Sequence, residues 1–319
     1  MPPRPPHRIA LALACLVFPG LVYGLSFYLV GGKLLTPQAL MPETLGVAFG
    51  PATPARFAAD MAARERFLIA AAAMTAVSLG ALAFSLSQLV ESRGPRFGLL
   101  AAVGATATGL FAVATQGNPL RDLAVERPVA LAIREGATWG LAEAWAGISL
   151  LVTANTFIGL VAVGATALRF ADLALGRDGP APDAAALARN GRALRETVLA
   201  GSAILTSATV ATVFFNQYPL SLMAPPALDV FTTLSGIASV RWGAAYSIVL
   251  ATAAAPAAAA LIADRRRAAA SGLRLTDEET RWLSRDGLVE NLKTLSAVAG
   301  VLAPALAAPA IEIVKAFAG

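Results

Sequence analysis

The stretch WGAAYSIVLATAAAPAAAALIADRRR, residues 242–267, decides the fold. Its first part, Trp242–Ala263, contains no charged side chain, and it is followed directly by Asp264 and three arginines. About 20 apolar residues, each rising ~1.5 Å along a helix, cross the hydrocarbon core of a bilayer. Three consecutive arginines are costly to move into lipid, so the stretch predicts a transmembrane helix whose C-terminal end stays in the cytoplasm.

The composition of the whole chain agrees with this prediction. Of 319 residues, 57% are hydrophobic and 14% are charged, and the mean hydropathy is +0.66. Soluble domains carry about 25% charged residues, so the chain is typical of an integral membrane protein. The net charge of +5 comes mainly from arginines between apolar runs, where positive charge sets topology, and we therefore expect no nucleic-acid partner.

Cysteine and histidine are too rare in the chain for several kinds of metal site and catalytic site. The single cysteine, Cys15, excludes an intramolecular disulfide and a metal site with several cysteines. The single histidine, His7, lies in the N-terminal tail, so bis-histidine haem, histidine-ligated zinc and Ser-His-Asp catalysis lack their imidazoles. Nucleotide-binding and catalytic motifs are also missing from the sequence. We therefore expect no cofactor, no metal site and no enzymatic activity.

Apolar runs of similar length recur along the chain. They predict an all-α, polytopic helical bundle in which residues 1–319 form a single membrane domain. A signal peptide is the competing interpretation of the first run, but this run is longer than the apolar core of such peptides, which has about 7–15 residues. The spans contain no Asp, Glu, Lys or Arg, and the first six are predicted at residues 9–30, 67–90, 97–115, 144–168, 197–215 and 242–263.

The C-terminal part of the chain predicts two more elements. Thr276 and Glu279 have the spacing of a helix capping box, and the residues that follow predict an amphipathic cytoplasmic segment over 276–292. The last apolar run, 295–311, contains two prolines. It is either a kinked seventh span or a re-entrant segment, so the predicted total is about seven spans.

Charge between the spans predicts the orientation. With a cytoplasmic N-terminus, the cytoplasmic segments hold 16 of the 25 Lys and Arg residues and are also the shorter set. This distribution predicts an N-in protein of the cytoplasmic (inner) membrane. Candidates for contact with anionic lipid headgroups are Arg265, Arg266 and Arg267. Each of the three long outer loops contains a proline and an arginine, which indicates either a threefold repeat or the ordinary chemistry of helix ends.

Neutral polar side chains are the first group of candidate functional residues. Asn155 lies near the middle of the fourth span, where its amide either lines a solute path or bonds a neighbouring helix and specifies packing. Gln116 and Asn118 follow the third span, and Asn216 and Gln217 follow the fifth. At the predicted outer surface these four side chains form either a polar vestibule or ordinary interfacial contacts.

Charged side chains at the same predicted level are the second group. They flank the fourth and sixth spans and are candidates for docking a partner: Arg134, Glu135, Glu143 and Arg241. Glu135, Trp139 and Glu143 recur every four residues, which places them on one face if that stretch is helical. The competing interpretation is again ordinary interfacial chemistry.

Two functions stay open for such a protein. The first is a non-enzymatic membrane subunit that docks partner proteins, because uncharged spans and three long, partly apolar outer loops need other surfaces to pack against. The alternative is a channel or carrier for a small neutral solute. The expected partners are the lipid bilayer and either other protein chains or further copies of this chain. Replacement of Asn155 by leucine distinguishes the carrier from the docking subunit. A carrier loses solute flux, whereas a subunit loses at most stability.

Overall fold

The computed structural model describes residues 6–28, 49, 52–115, 122–176, 183–224 and 227–272. All regular structure within these ranges is helical. A π-helical turn, Asp122–Glu126, and a 3-10 turn, Tyr218–Ser221, accompany the α-helices. The α-helices are α1 (Pro6–Tyr28), α2 (Pro54–Arg93), α3 (Pro95–Thr115), α4 (Arg127–Arg134), α5 (Leu141–Leu175), α6 (Ala184–Gln217) and α7 (Ala227–Ala270).

Four helical segments are long and apolar enough to cross a membrane. They are α2, α5, α7 and the segment Ala184–Ser221, which joins α6 to its 3-10 turn. α1 and α3 are helical over most or all of the predicted first and third spans, but the predicted total of about seven spans is not confirmed. The predicted elements at 276–292 and 295–311 lie outside the described residues.

Several helices extend well beyond the predicted spans. α2 begins at Pro54, where the side chain of Thr53 accepts a hydrogen bond from the backbone N–H of Arg56 at 3.2 Å and caps the helix. α7 begins at Ala227, so the prediction of a loop over 216–241 is wrong for residues 227–241. Hydropathy finds only the part of a helix that lies in hydrocarbon, whereas intrahelical hydrogen bonding continues into polar sequence.

α5 is the centre of the bundle and packs against α1, α2, α3, α6 and α7. Small residues let its neighbours approach closely. A Cβ atom added at Gly164 of α5 would lie 3.3 Å from the Cβ of Ala105 on α3. A Cβ added at Gly201 of α6 would lie 2.8 Å from the Cδ1 of Leu250 on α7. These glycines therefore set the distances between helices.

The bundle has two ends, which we name after a buried residue at each. At the Arg8 end, the start of α1 meets the C-terminal parts of α5 and α7, around the buried side chains of Cys15, Phe170 and Leu187. At the Asp60 end, the start of α2 meets the start of α5 and the end of α6. The turn and α4 that precede α5 pack there through Val125 and Val129.

Candidate functional site

A cavity of about 330 Å³ lies between the packed regions at the two ends. The lining of α5 runs from Val152 to Ala167, which is ~22 Å of helix at 1.5 Å per residue. Five further helices, α1, α2, α3, α6 and α7, complete the wall. The volume falls in the range of ligand pockets, about 300–1,000 Å³. The lining is mainly apolar, and its polar members are Thr108, Asn155, Thr156, Thr212 and Tyr246.

Asn155 brings an amide into this apolar wall. The residue is 5% exposed, and its side-chain oxygen accepts a hydrogen bond from the hydroxyl of Thr75 on α2. The same hydroxyl lies 2.9 Å from the carbonyl oxygen of Ala71, and its single proton is shared between these two acceptors. The bond from Thr75 uses the amide oxygen, so the two N–H donors of Asn155 remain for an occupant of the cavity. The structure thus places Asn155 both at a helix contact and on the cavity wall.

An aromatic cluster closes the cavity at the Asp60 end. It consists of Phe67, Trp145, Phe215 and Tyr218, and the first and third of these line the cavity. The ring of Trp145 is stacked with those of Phe215 and Tyr218, at 6.1 Å between centroids in both cases. Phe67 approaches Phe215 at 5.6 Å. These contacts join α2, α5 and α6 at this end of the cavity.

A buried carboxylate fixes this cluster. Asp60 is 0% exposed and accepts a hydrogen bond from the hydroxyl of Tyr218 at 3.1 Å. Both of its oxygens pair with Arg64 one turn later, in the bidentate geometry that makes strong charge-assisted bonds. This site was not predicted from the sequence, because Asp60 and Arg64 were both assigned to an outer loop. The spacing of an aspartate and an arginine four residues apart is the signal that could have found it.

At the Arg8 end, a first buried network ties α2 to α5. Asp172 accepts hydrogen bonds from the Nε of Arg93 and the Nη1 of Arg169, both at 2.5 Å. Arg93 also donates to the carbonyl oxygen of Gly176, and Arg169 donates to the side chain of Gln88 at 3.2 Å. The three charged side chains are only 5–16% exposed. We call this group the Asp172 network.

A second network at the same end ties α1 to α7. Asp264 pairs with Arg8 and with Arg267, the latter at 2.6 Å. Arg8 also donates a hydrogen bond to the carbonyl oxygen of Ala174 on α5, at 3.0 Å. Because α1, α2, α5 and α7 all line the cavity, the two networks hold four of its walls in place at this end.

The predicted vestibule residues fall into different settings. Asn216 is 6% exposed, and its side-chain nitrogen finds no hydrogen-bond partner among the described residues. Gln217 is half-buried, at the end of α6. Gln116 and Asn118 lie outside the described residues, so whether the four side chains meet stays a prediction.

The predicted docking residues are mostly exposed. Arg134, Glu135 and Glu143 lie on the surface, and Arg241 is half-buried on α7 with its guanidinium 5.8 Å from the ring centre of Trp242. Residues 135, 139 and 143 were expected on one face only if their stretch is helical, and residues 135–140 are not helical. α4 ends at Arg134, before this stretch. Gly136 and Gly140 both have positive φ, and they turn the chain into α5.

The three consecutive arginines, Arg265, Arg266 and Arg267, differ in their exposure. Arg265 is 4% exposed and lies within the bundle, 2.9 Å from the position of a Cβ atom added at Gly191 on α6. Arg266 and Arg267 are exposed, and Arg267 also bonds Asp264. The prediction that all three contact lipid headgroups therefore fails for Arg265. Successive residues point about 100° apart around a helix, so three in a row cannot share one face.

The acidic side chains of the described residues lie away from the cavity. Within the described ranges, no group of three His, Cys, Asp or Glu side chains could hold a metal ion. The carboxylates of Asp60, Asp172 and Asp264 are paired with arginines at the two ends, and none of them lines the cavity. The chain matches no family model, no curated protein and no solved structure.

Proposed function

We propose that the protein is a carrier for a small uncharged molecule, which it binds in the central cavity and moves through the cytoplasmic membrane. The observation that carries this proposal is an apolar cavity with free amide donors from Asn155 in its wall. No charged side chain lines this cavity among the described residues. A charged molecule would lose its hydration there without compensation, so an uncharged occupant fits best.

In this proposal the two ends of the bundle are the gates. A carrier works by opening one end of a central site while the other end stays closed. The aromatic cluster closes one end through ring contacts that can slide, and the Asp172 and Asp264 networks close the other through ion pairs that can be exchanged. An N-in orientation is supported by the arginines at the Arg8 end, where Arg266 and Arg267 are exposed.

Replacement of Asn155 by leucine tests the carrier directly. The protein is reconstituted into liposomes, and the uptake of glycerol, urea and 1,2-hexanediol is followed by stopped-flow light scattering. We expect the wild-type protein to speed the uptake of at least one of these uncharged probes. The leucine variant should slow that uptake about fivefold, because one hydrogen bond contributes about 1 kcal/mol to binding.

The structure offers a matched control on the same helix. Thr153 is exposed, does not line the cavity and bonds the carbonyl oxygen of Ser149 at 2.9 Å, so Thr153→Val should leave uptake unchanged. The thermal stability of Asn155→Leu should stay close to wild type, because the hydroxyl of Thr75 keeps its bond to Ala71. Equal uptake by wild type, Asn155→Leu and protein-free liposomes would contradict the proposal.

The docking subunit is supported by a separate observation. Trp139 is 54% exposed at the Asp60 end, and its ring lies 5.7 Å from that of Phe57, which is 36% exposed. Exposed aromatic pairs are enriched at the centres of protein interfaces. Gentle detergent extraction from the native host, followed by mass spectrometry, should then recover a stoichiometric partner that Trp139→Ala loses. Recovery of the chain alone would reject this function.

A further inference from the structure

The cavity has an opening on the side of the bundle. Three described residues line the cavity and are also exposed: Leu16 and Gly20 on α1, and Thr108 on α3. Each lies near the middle of its helix, far from the closed ends described above. α1 and α3 both pack on α5. The opening therefore lies between α1 and α3, at the level of the helix centres.

Apolar side chains surround this opening. On α1, Val17 is 48% exposed and Leu21 is 62% exposed. On α3, Val103 and Leu110 are each 59% exposed. Exposed residues of this kind in the middle of long apolar helices face lipid tails. With α1 and α3 in the bilayer, as the sequence predicts, this opening connects the cavity with the lipid hydrocarbon.

The interior of the cavity is elongated and selects a particular chemistry. The lining of α5 follows the helix for ~22 Å, much of the ~30 Å thickness of a bilayer core. Along this length the amide of Asn155 supplies hydrogen-bond donors near one end, and most of the other lining side chains are apolar. Such a wall matches a hydrocarbon chain that ends in an uncharged group with a hydrogen-bond acceptor, such as an ester or hydroxyl.

We infer that the molecule bound in the cavity is a neutral, single-chain amphiphile that enters from the bilayer between α1 and α3. This inference rests on the proposed carrier function and names the class of its substrate. The head group accepts hydrogen bonds from the amide nitrogen of Asn155, and the chain lies along α5. A water-soluble molecule would instead have to pass one of the closed ends.

Photocrosslinking tests the occupant. The probe is a monoacylglycerol with a diazirine in its acyl chain, added to liposomes that contain the full chain, and the crosslinked positions are mapped by mass spectrometry. We expect adducts at Leu205 and Ala208, which line the cavity and are only 5% and 7% exposed. Adducts confined to the exposed surface residues Leu99, Leu100 and Leu150 would overturn the inference.

Gly20→Phe tests the opening. A Cβ atom added at Gly20 has no neighbour within 4 Å, so the ring can occupy the opening without displacing packed atoms. We expect at least a tenfold loss of adducts at Leu205 and Ala208. Gly24→Phe is the matched control, because Gly24 is also exposed and unobstructed but does not line the cavity. Equal adduct yields in the two variants would reject the opening between α1 and α3.

Glycerol uptake in the same liposomes separates this inference from the carrier itself. If cavity adducts are missing while glycerol uptake still depends on Asn155, the carrier stands and the bilayer-derived substrate is rejected. If cavity adducts are missing and the uptake of glycerol, urea and 1,2-hexanediol equals that of protein-free liposomes, both proposals are rejected. Cavity adducts that Gly20→Phe removes and Gly24→Phe preserves support the neutral amphiphile.

Discussion

Replacement of Asp172 by alanine is expected to lower the free energy of unfolding by about 3–5 kcal/mol, the usual cost of removing one partner from a buried ion pair. The carboxylate is 5% exposed and accepts hydrogen bonds from both Arg93 and Arg169. Its removal leaves two largely buried guanidinium charges without their carboxylate. Titration of the purified protein from mild detergent into sodium dodecyl sulfate, followed by circular dichroism, measures the change.

Asp122→Ala is the matched control for this substitution. Asp122 pairs with Arg127 at 2.8 Å, but the two side chains are 42% and 40% exposed. Exposed ion pairs contribute about 0–1 kcal/mol, because water screens both charges. The control should therefore unfold at nearly the same detergent fraction as wild type. Similar losses from Asp172→Ala and Asp122→Ala would show that burial of the Asp172 network does not stabilise the bundle.

A second large loss is expected at the opposite end of the bundle. Asp60→Ala removes the acceptor of the Tyr218 hydroxyl and the partner of Arg64, and the free energy of unfolding should fall by about 3–5 kcal/mol. Tyr218→Phe removes only the hydrogen bond to a charged group, so it should cost about 1.5–3 kcal/mol. The detergent titration described above measures both values.

This experiment has two controls, the double variant of Asp60 and Tyr218 and a substitution at Glu65. Because Asp60 and Tyr218 are in contact, the losses from the two single variants should not add in the double variant. Glu65→Ala changes an exposed carboxylate on the same helix and should alter stability by no more than about 0.5 kcal/mol. Additive losses from Asp60→Ala and Tyr218→Phe would mean that their hydrogen bond does not couple α2 to the end of α6.

The helices were predictable from sequence, whereas the buried ion pairs were not. Long apolar runs identify helices because hydropathy is a property of neighbouring residues in the chain. Arg93 and Asp172 are 79 positions apart, and each lies just beyond a predicted span, where charge is expected in any case. Their pairing depends on how α2 and α5 pack, which no local pattern contains. Asn155 was predictable as a candidate because a single amide stands out in an apolar run.

Part of the geometry of the connection before α5 could be predicted from the sequence. The repeat of Glu135, Trp139 and Glu143 matches a helix, but Gly136 and Gly140 lie between them. Glycine favours the positive φ that ends a helix, and both glycines adopt it, with φ of 63° and 62°. The cavity could not be predicted from the sequence, because its wall combines side chains from six helices.

The bond between Arg8 and Asp264 has a consequence for the biosynthesis of the protein. The two residues are 256 positions apart, and the ribosome makes the chain from the N-terminus. α1 is therefore synthesised long before its partner on α7 exists. In a chain that stops before α7, Arg8 keeps its bond to Ala174 and α1 keeps its packing against α5. The ion pair that ties α1 to α7 thus forms only after almost all of the described chain has been made.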